Sequence, residues 1–192
     1  MRKVTYAMSV SLDGYIKAAD GDQSWAFPDA ELHRYFNERD RILSTFLYGR
    51  RLYEDMVAFW PTADENPAAP PEEIEYACIW KSMPKVVFSR TLAQVEWNSR
   101  LVRGNLAEEV NRLKAQPGGD MSVGGAELAA SFTRLGLIDE YWLYVHPVVL
   151  GGGKTMFAPS SARLDLRLVE IHTFSSGVVL LRYQLAKPRY ES

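Results

Sequence analysis

The alternation of apolar and polar positions divides the chain into short segments of two kinds. Residues 4–12 are apolar and β-branched and stop at Asp13-Gly14, a turn dipeptide, so they predict a first strand. Asp20-Gly21-Asp22 predicts a second turn. Pro28-Asp29-Ala30-Glu31 predicts a helix start, because early acids complement the helix dipole, and Leu32, Tyr35, Phe36 and Arg39 follow at helical spacing. Residues 44–48 predict a strand closed by Gly49, and 50–59 a helix that ends before Trp60-Pro61. The stretch 62–71, rich in Pro, Ala and acids, predicts an irregular surface loop. A helix over 72–81, a strand over 85–89 and a helix over 106–115 come next, the last stopped by Pro117-Gly118-Gly119. Residues 121–123 predict a short strand running into Gly124-Gly125, and 126–135 a helix with Gly136 as its C-terminal cap.

Beyond Gly136 the pattern changes to strands alone. Residues 140–150 form a long β-rich run interrupted by Pro147. Residues 164–174 and 178–185 predict two strands joined at Ser175-Ser176-Gly177, an antiparallel hairpin. Alternating strands and helices followed by strands predict an α/β fold, its central sheet mostly parallel with antiparallel strands at the C-terminal edge. The reading is of a single domain over 1–192, without internal repeats or low-complexity tracts.

Composition narrows the function classes. The 192 residues are 47% hydrophobic and 24% charged, enough for a substantial core without disulfide or metal staples. Lys and Arg total 22 against 24 Asp and Glu, a net charge of −2, so neither nucleic acid nor a membrane is expected as a partner; a local basic patch can still bind phosphate. The one cysteine, Cys78, excludes an intramolecular disulfide and a thiolate metal cluster. Lying between Ala77 and Ile79, it predicts a buried, inert thiol. No run approaches the roughly 18 apolar residues of a spanning helix. Met1-Arg2-Lys3-Val4 leads straight into a strand rather than a secretory signal, so the expected location is cytoplasmic.

Three units carry candidate chemistry. Gly124-Gly125 lies between a strand and a helix, where the backbone can approach a phosphate and the helix dipole favours the anion; close strand–helix packing is the alternative. Gly49-Arg50-Arg51 places two cations at a helix start, where the dipole disfavours them unless an anion is bound. Ser89-Arg90-Thr91 closes another strand with hydroxyls and a cation. All three sit at predicted strand carboxyl ends, where α/β sheets bind ligands, and together they point to a phosphate-bearing ligand such as a nucleotide. Gly151-Gly152-Gly153-Lys154-Thr155 fails the P-loop pattern, because Val148 stands where its first glycine belongs. His33, His146 and His172 are far apart and read as structural, His33 on an exposed helix face. Asp13, at the end of the first strand, can either bind substrate and relay a proton or form the Asp-Gly turn. Trp25 and Phe27 can wall a pocket or enter the core.

Ordered segments along the chain carry a resemblance. Ser9-Val10-Ser11-Leu12-Asp13-Gly14-Tyr15-Ile16, Tyr48-Gly49-Arg50-Arg51-Leu52-Tyr53-Glu54, Lys85-Val86-Val87-Phe88-Ser89 and Val123-Gly124-Gly125-Ala126-Glu127-Leu128 come first. Pro147-Val148-Val149-Leu150-Gly151-Gly152-Gly153 follows. The chain resembles the dihydrofolate reductase-like superfamily, and more closely the C-terminal reductase domain of the bifunctional riboflavin-biosynthesis deaminase-reductase. The resemblance implies a three-layer α/β/α domain that binds NADPH and a homodimer, for which Tyr141-Trp142-Leu143-Tyr144 can supply an interface or form core. It places Arg50 and Arg51, after Gly49, at the cofactor phosphates, Ser89 and Arg90 at the 2′-phosphate, and Gly124, Gly125, Ala126 and Glu127 at the pyrophosphate. Ser9 and Ile16 come near the nicotinamide. Asp13 would bind or protonate a small heterocycle, with Trp25, Phe27 and Tyr53 lining its pocket.

The implied reaction is hydride transfer like that of 5-amino-6-(5-phosphoribosylamino)uracil reductase. Two departures stand out. Ala30 occupies the place of the dihydrofolate reductase carboxylate, and Val123 the place of a glutamate usual before the glycine pair. A folate- or pterin-reducing alternative would draw its acid from Asp29 or Glu31, and a non-catalytic nucleotide-binding protein is the third reading.

Overall fold

The chain is described by a computed structural model over residues 1–158 and 163–186. Its strands are β1 (Val4–Ser11), β2 (Tyr15–Ala18), β3 (Thr45–Gly49), β4 (Lys85–Phe88), β5 (Ser99–Val102), β6 (Met121–Gly124), β7 (Glu140–His146), β8 (Gly153–Thr155), β9 (Leu166–Thr173) and β10 (Val179–Leu185). Between them run α1 (Ala30–Arg41), α2 (Arg50–Phe59), α3 (Pro71–Ser82), α4 (Leu106–Ala115) and α5 (Ala126–Arg134). Eight strands form one sheet in the order β5-β4-β3-β6-β1-β7-β10-β9, and β2 pairs with β8 separately. Pairing is parallel from β5 to β7 and antiparallel across β7-β10-β9.

Helices cover both faces of this sheet because successive side chains alternate across it. Val4, Tyr6 and Val10 of β1, Leu47 of β3 and Val123 of β6 pack with Val110 and Leu113 of α4 and Leu128 and Phe132 of α5. On the opposite face Phe46 and Tyr48 meet Tyr53 of α2 and Trp80 of α3. Tyr144 and Leu180 on that face meet Leu32 of α1. Helix α1 begins where expected: the Asp29 carboxylate accepts the Leu32 amide at 2.8 Å, a cap that contributes about 1 kcal/mol. Gly136, at φ +64°, ends α5, and the Leu137 amide reaches back to the Phe132 carbonyl at 2.9 Å.

The structure differs from the sequence reading at several places. The long run after Glu140 ends at His146, since Pro147 cannot donate to a ladder. Residues 153–155 form β8 rather than a free turn. Gly153 allows the close approach of β2, because a Cβ there would lie 2.0 Å from the Lys17 carbonyl oxygen. Cys78 is exposed, not buried, because Ala77 and Trp80 take the inward positions of α3. His33 is half-buried against Tyr76 of α3, at 6.1 Å between ring centroids, rather than exposed. Tyr141 and Tyr144 lie in the core, since β7 runs between β1 and β10. No helix among the described residues is long and apolar enough to cross a membrane.

Candidate active site

The sheet opens at its carboxyl edge beside β1. β6 pairs with β1 only through Val4, Thr5 and Tyr6, whereas β7 follows β1 as far as Ser11. β3 and β6 have by then ended at Gly49 and Gly124. A crevice therefore runs along the second half of β1. Ala7, Met8 and Ser9 are only half-buried although their strand is central. Here the chain also changes direction across the sheet, leaving β1 towards β3 and passing from β6 over to β7. This is the topological switch point at which α/β sheets hold ligands.

Two helices start at this crevice. Their N-caps are Gly49 for α2 and Gly125 for α5, and neither has a side chain to cap the free amides. The two starts adjoin closely. A Cβ on Gly49 would sit 3.4 Å from Leu128 Cβ, and one on Gly124 would sit 2.4 Å from Leu52 Cδ2. Gly125 adopts φ +92°, a conformation that favours glycine. The packing reading of the glycine pair thus holds, and α5 starts without a side-chain cap on its free amides.

Charged side chains gather around these helix starts. Arg50 pairs with Glu54 at 3.2 Å, Arg51 pairs with Glu127 across the two helices, and Lys154 of β8 lies 3.9 Å from Glu127. Lys154, set aside with the failed P-loop pattern, thus joins the arginines. Only the fold reveals this, by pairing β8 with β2. Arg90, beyond β4, is exposed and has no ion-pair partner among the described residues. Ser89 folds the turn it belongs to: its hydroxyl accepts the Thr91 amide at 3.2 Å and the Leu92 amide at 3.1 Å.

Asp13 stands at the mouth with its carboxylate fully engaged. It accepts the Ser11 hydroxyl at 2.6 Å, the Leu150 amide at 3.1 Å and the Gly151 amide at 2.8 Å. The Ser11 hydrogen bond first, then those amides, hold its carboxyl below the usual carboxylate range. An ionised, fully hydrogen-bonded carboxylate clamps the glycine-rich loop onto the end of β1; it is poorly placed to donate a proton.

Other expected site residues are drawn elsewhere. Glu31 accepts the Ser175 amide at 2.9 Å and the Ser175 hydroxyl, which fastens α1 to the β9–β10 turn. Tyr53 is buried, and its hydroxyl accepts the Glu96 amide at 2.7 Å and donates to the Glu96 carbonyl at 3.3 Å. Ile16 is in the core with Val10 and Met156. Phe27 is 77% exposed. Trp25 is half-buried and meets His146 edge-on, with ring centroids 5.5 Å apart. His146, taken as structural in the sequence, sits buried at the end of β7 in register with Ser11. Its only sequence signal is its place before Pro147.

The opposite edge of the sheet holds a cavity of about 570 Å³ lined by Arg2, Lys85, Arg100 and Arg112 among others. Those cations are already satisfied. Arg2 donates to the Gly119 carbonyl and the Thr45 hydroxyl, Lys85 to the Met83 and Trp97 carbonyls, and both Arg100 and Arg112 pair with Glu109. Among the described residues no group of three His, Cys, Asp or Glu side chains is arranged to hold a metal ion.

Known proteins share this architecture. A Bacillus subtilis (strain 168) protein, the uncharacterized YyaP, is 38% identical over 186 residues, covering 95% of this chain and 94% of its own. A Shewanella sp. PV-4 structure provisionally assigned to riboflavin biosynthesis superposes with a TM-score of 0.73 at 21% identity, over 97% of this chain and all of the other. Dihydrofolate reductase from Enterococcus faecalis superposes with a TM-score of 0.63 at 11% identity, over 96% of this chain and 97% of its own, which identifies the fold as dihydrofolate reductase-like. Residues 2–180 match the RibD C-terminal domain, and the chain belongs to that family.

Proposed function

We propose that the chain is an NADPH-dependent reductase acting by hydride transfer on a small heterocycle, similar to 5-amino-6-(5-phosphoribosylamino)uracil reductase. The observation that carries this reading is the pair of glycine-capped helix starts beside the crevice, with Arg50, Arg51 and Lys154 around them. Free amide donors, positive helix ends and cations are the groups that a dinucleotide with an extra phosphate needs. Gly124, Gly125, Ala126 and the Glu127 amide would hold the pyrophosphate, with Arg50, Arg51 and Lys154 around it. Ser89 and Arg90 would take the 2′-phosphate. Ser9, on the half-buried floor, would face the nicotinamide end.

NADPH, when bound, supplies the hydride. The protein's own part is to orient the two reactants and exclude water. Asp13 serves as a positioning residue, since its carboxylate holds the loop after β7 against β1. The folate-reducing alternative has less support: Asp29 caps α1 and Glu31 is bound to Ser175, so neither acid is free. The third reading, a non-catalytic nucleotide binder, predicts cofactor binding without turnover. NADPH absorbance during incubation with 5-amino-6-(5-phosphoribosylamino)uracil separates these readings. Stoichiometric oxidation supports the reductase, whereas oxidation with dihydrofolate alone favours the second reading.

We further propose a homodimer formed through the outward face of β9 and β10. Cross-strand neighbours Leu181–Ile171 and Tyr183–Leu168 line that face. Leu168 and Ile171 are 42% and 59% exposed, while the charged Arg167, Glu170 and Arg182 occupy the other face. An apolar sheet face of this kind suits a second copy of itself.

A further inference from the structure

Buried polar side-chain atoms nearly always have a hydrogen-bond partner. At the crevice two touching rings break that rule together. His146 Nε2 and Trp25 Nε1 are both buried and both without a partner. The rings meet edge-on at 87°. His146 is 5% exposed, ends β7, and stands opposite Ser11 on the sheet face that also carries half-buried Ser9. The unpartnered atoms thus lie at the carboxyl end of β7, next to the end of β1, the strand along which the crevice runs.

We propose that His146 and Trp25 are the positioning pair for the substrate's ring, recognising an N–H and a neighbouring carbonyl of a cyclic amide or ureide. This rests on the crevice being the reductase site proposed above. The chemistry of the two groups selects that edge. An indole nitrogen can only donate. A neutral imidazole has one acceptor nitrogen, and the unpartnered Nε2 can present it beside the indole donor. Burial lowers the imidazole's affinity for a second proton, so the ring stays neutral. One donor and one acceptor, both uncharged, match an amide edge and not a carboxylate or a phosphate.

Access follows from what holds each ring. His146 is fixed in the sheet, whereas Trp25 stands on a single 3₁₀ turn, Ser24–Ala26, between exposed Gln23 and Phe27. The turn is held by local amide bonds, Ala26 to Gln23 and Phe27 to Ser24, by Ser24 to the Asp22 carboxylate, and by one side-chain bond from Gln23 to the Ile16 carbonyl of β2. Trp25 can therefore step aside for a ring and close on it without disturbing a strand.

The test is calorimetric titration of the purified chain, without cofactor, with 5,6-diaminouracil and with its 1,3-dimethyl derivative, which lacks the ring N–H groups. Wild type is expected to bind the parent at least tenfold tighter. His146→Leu should bring the parent down to the level of the dimethyl compound, and His146→Gln, which keeps an acceptor, should restore part of the preference. Trp25→Phe should weaken both compounds. NADPH affinity should be unchanged in all three variants. Equal or absent binding of the two uracils by wild type, or a preference that survives His146→Leu, overturns the proposal. So does a parallel loss of NADPH affinity, which marks a merely structural role. A chain that binds the parent uracil but not NADPH refutes the reductase reading while keeping this one, and the converse result does the reverse.

Discussion

Glu127 sets a conflict at the crevice. Its amide belongs to the uncapped start of α5, yet its carboxylate neutralises Arg51 and lies near Lys154. A cofactor phosphate bound there as proposed would compete with that carboxylate. Glu127→Gln keeps the amide and frees both cations, so NADPH should bind roughly two- to fivefold tighter, in line with about 0.3–1 kcal/mol for an exposed charge near a helix terminus. Weaker binding in a fluorescence titration would place the phosphate elsewhere. Glu140 bears on stability instead. Burial alone would raise its pKa, but hydrogen bonds from Lys3, Trp142 and Gln184 outweigh this and lower it to about 2. Because the folded value lies below the unfolded one, its contribution is full above about pH 4.5 and is lost as pH falls towards 2. Denaturant titrations should show wild type losing on the order of 2–3 kcal/mol more than Glu140→Gln between pH 7 and pH 2. Equal losses would remove Glu140 from the account.

The elements differ in how much the sequence revealed. Helices α2 and α4 have the predicted bounds, Arg50–Phe59 and Leu106–Ala115, because glycine, proline and asparagine mark their ends. Strands β2, β5 and β8 were not legible. β5 is four residues at an edge, with Arg100 in its middle, and β8 is exposed throughout. Such short strands exist through their partners rather than through their own pattern. The part of the candidate site at the helix starts was legible, since glycine and arginine there have local causes. The part expected to line a substrate pocket was not. Glu31 and Tyr53 look available in sequence, but distant backbone groups, Ser175 and Glu96, occupy them. His146 gains its meaning only from Trp25, over a hundred positions away. Asp13 ties two elements together, so Asp13→Ala should speed hydrogen exchange at the Leu150 and Gly151 amides at least tenfold. Unchanged exchange there would mean that the loop is held by other contacts.

At the scale of the molecule, the predominantly parallel half of the sheet carries the crevice and the antiparallel half carries the exposed apolar face. In the functional reading proposed above, the first half would bind ligands and the second would join copies. Light scattering at micromolar concentration should give twice the 21.8 kDa chain mass, and Ile171→Lys should shift it towards one chain. A monomeric wild type would contradict the dimer. The most direct test of the central claim is a titration with NADPH and, separately, NADH, following nicotinamide fluorescence in wild type, Arg90→Ala and the Arg50→Ala/Arg51→Ala double variant. The account predicts at least tenfold tighter binding of NADPH by wild type and most of that preference lost in Arg90→Ala. The double variant should weaken both cofactors. No binding of either cofactor, or equal affinity for both in wild type, would contradict it.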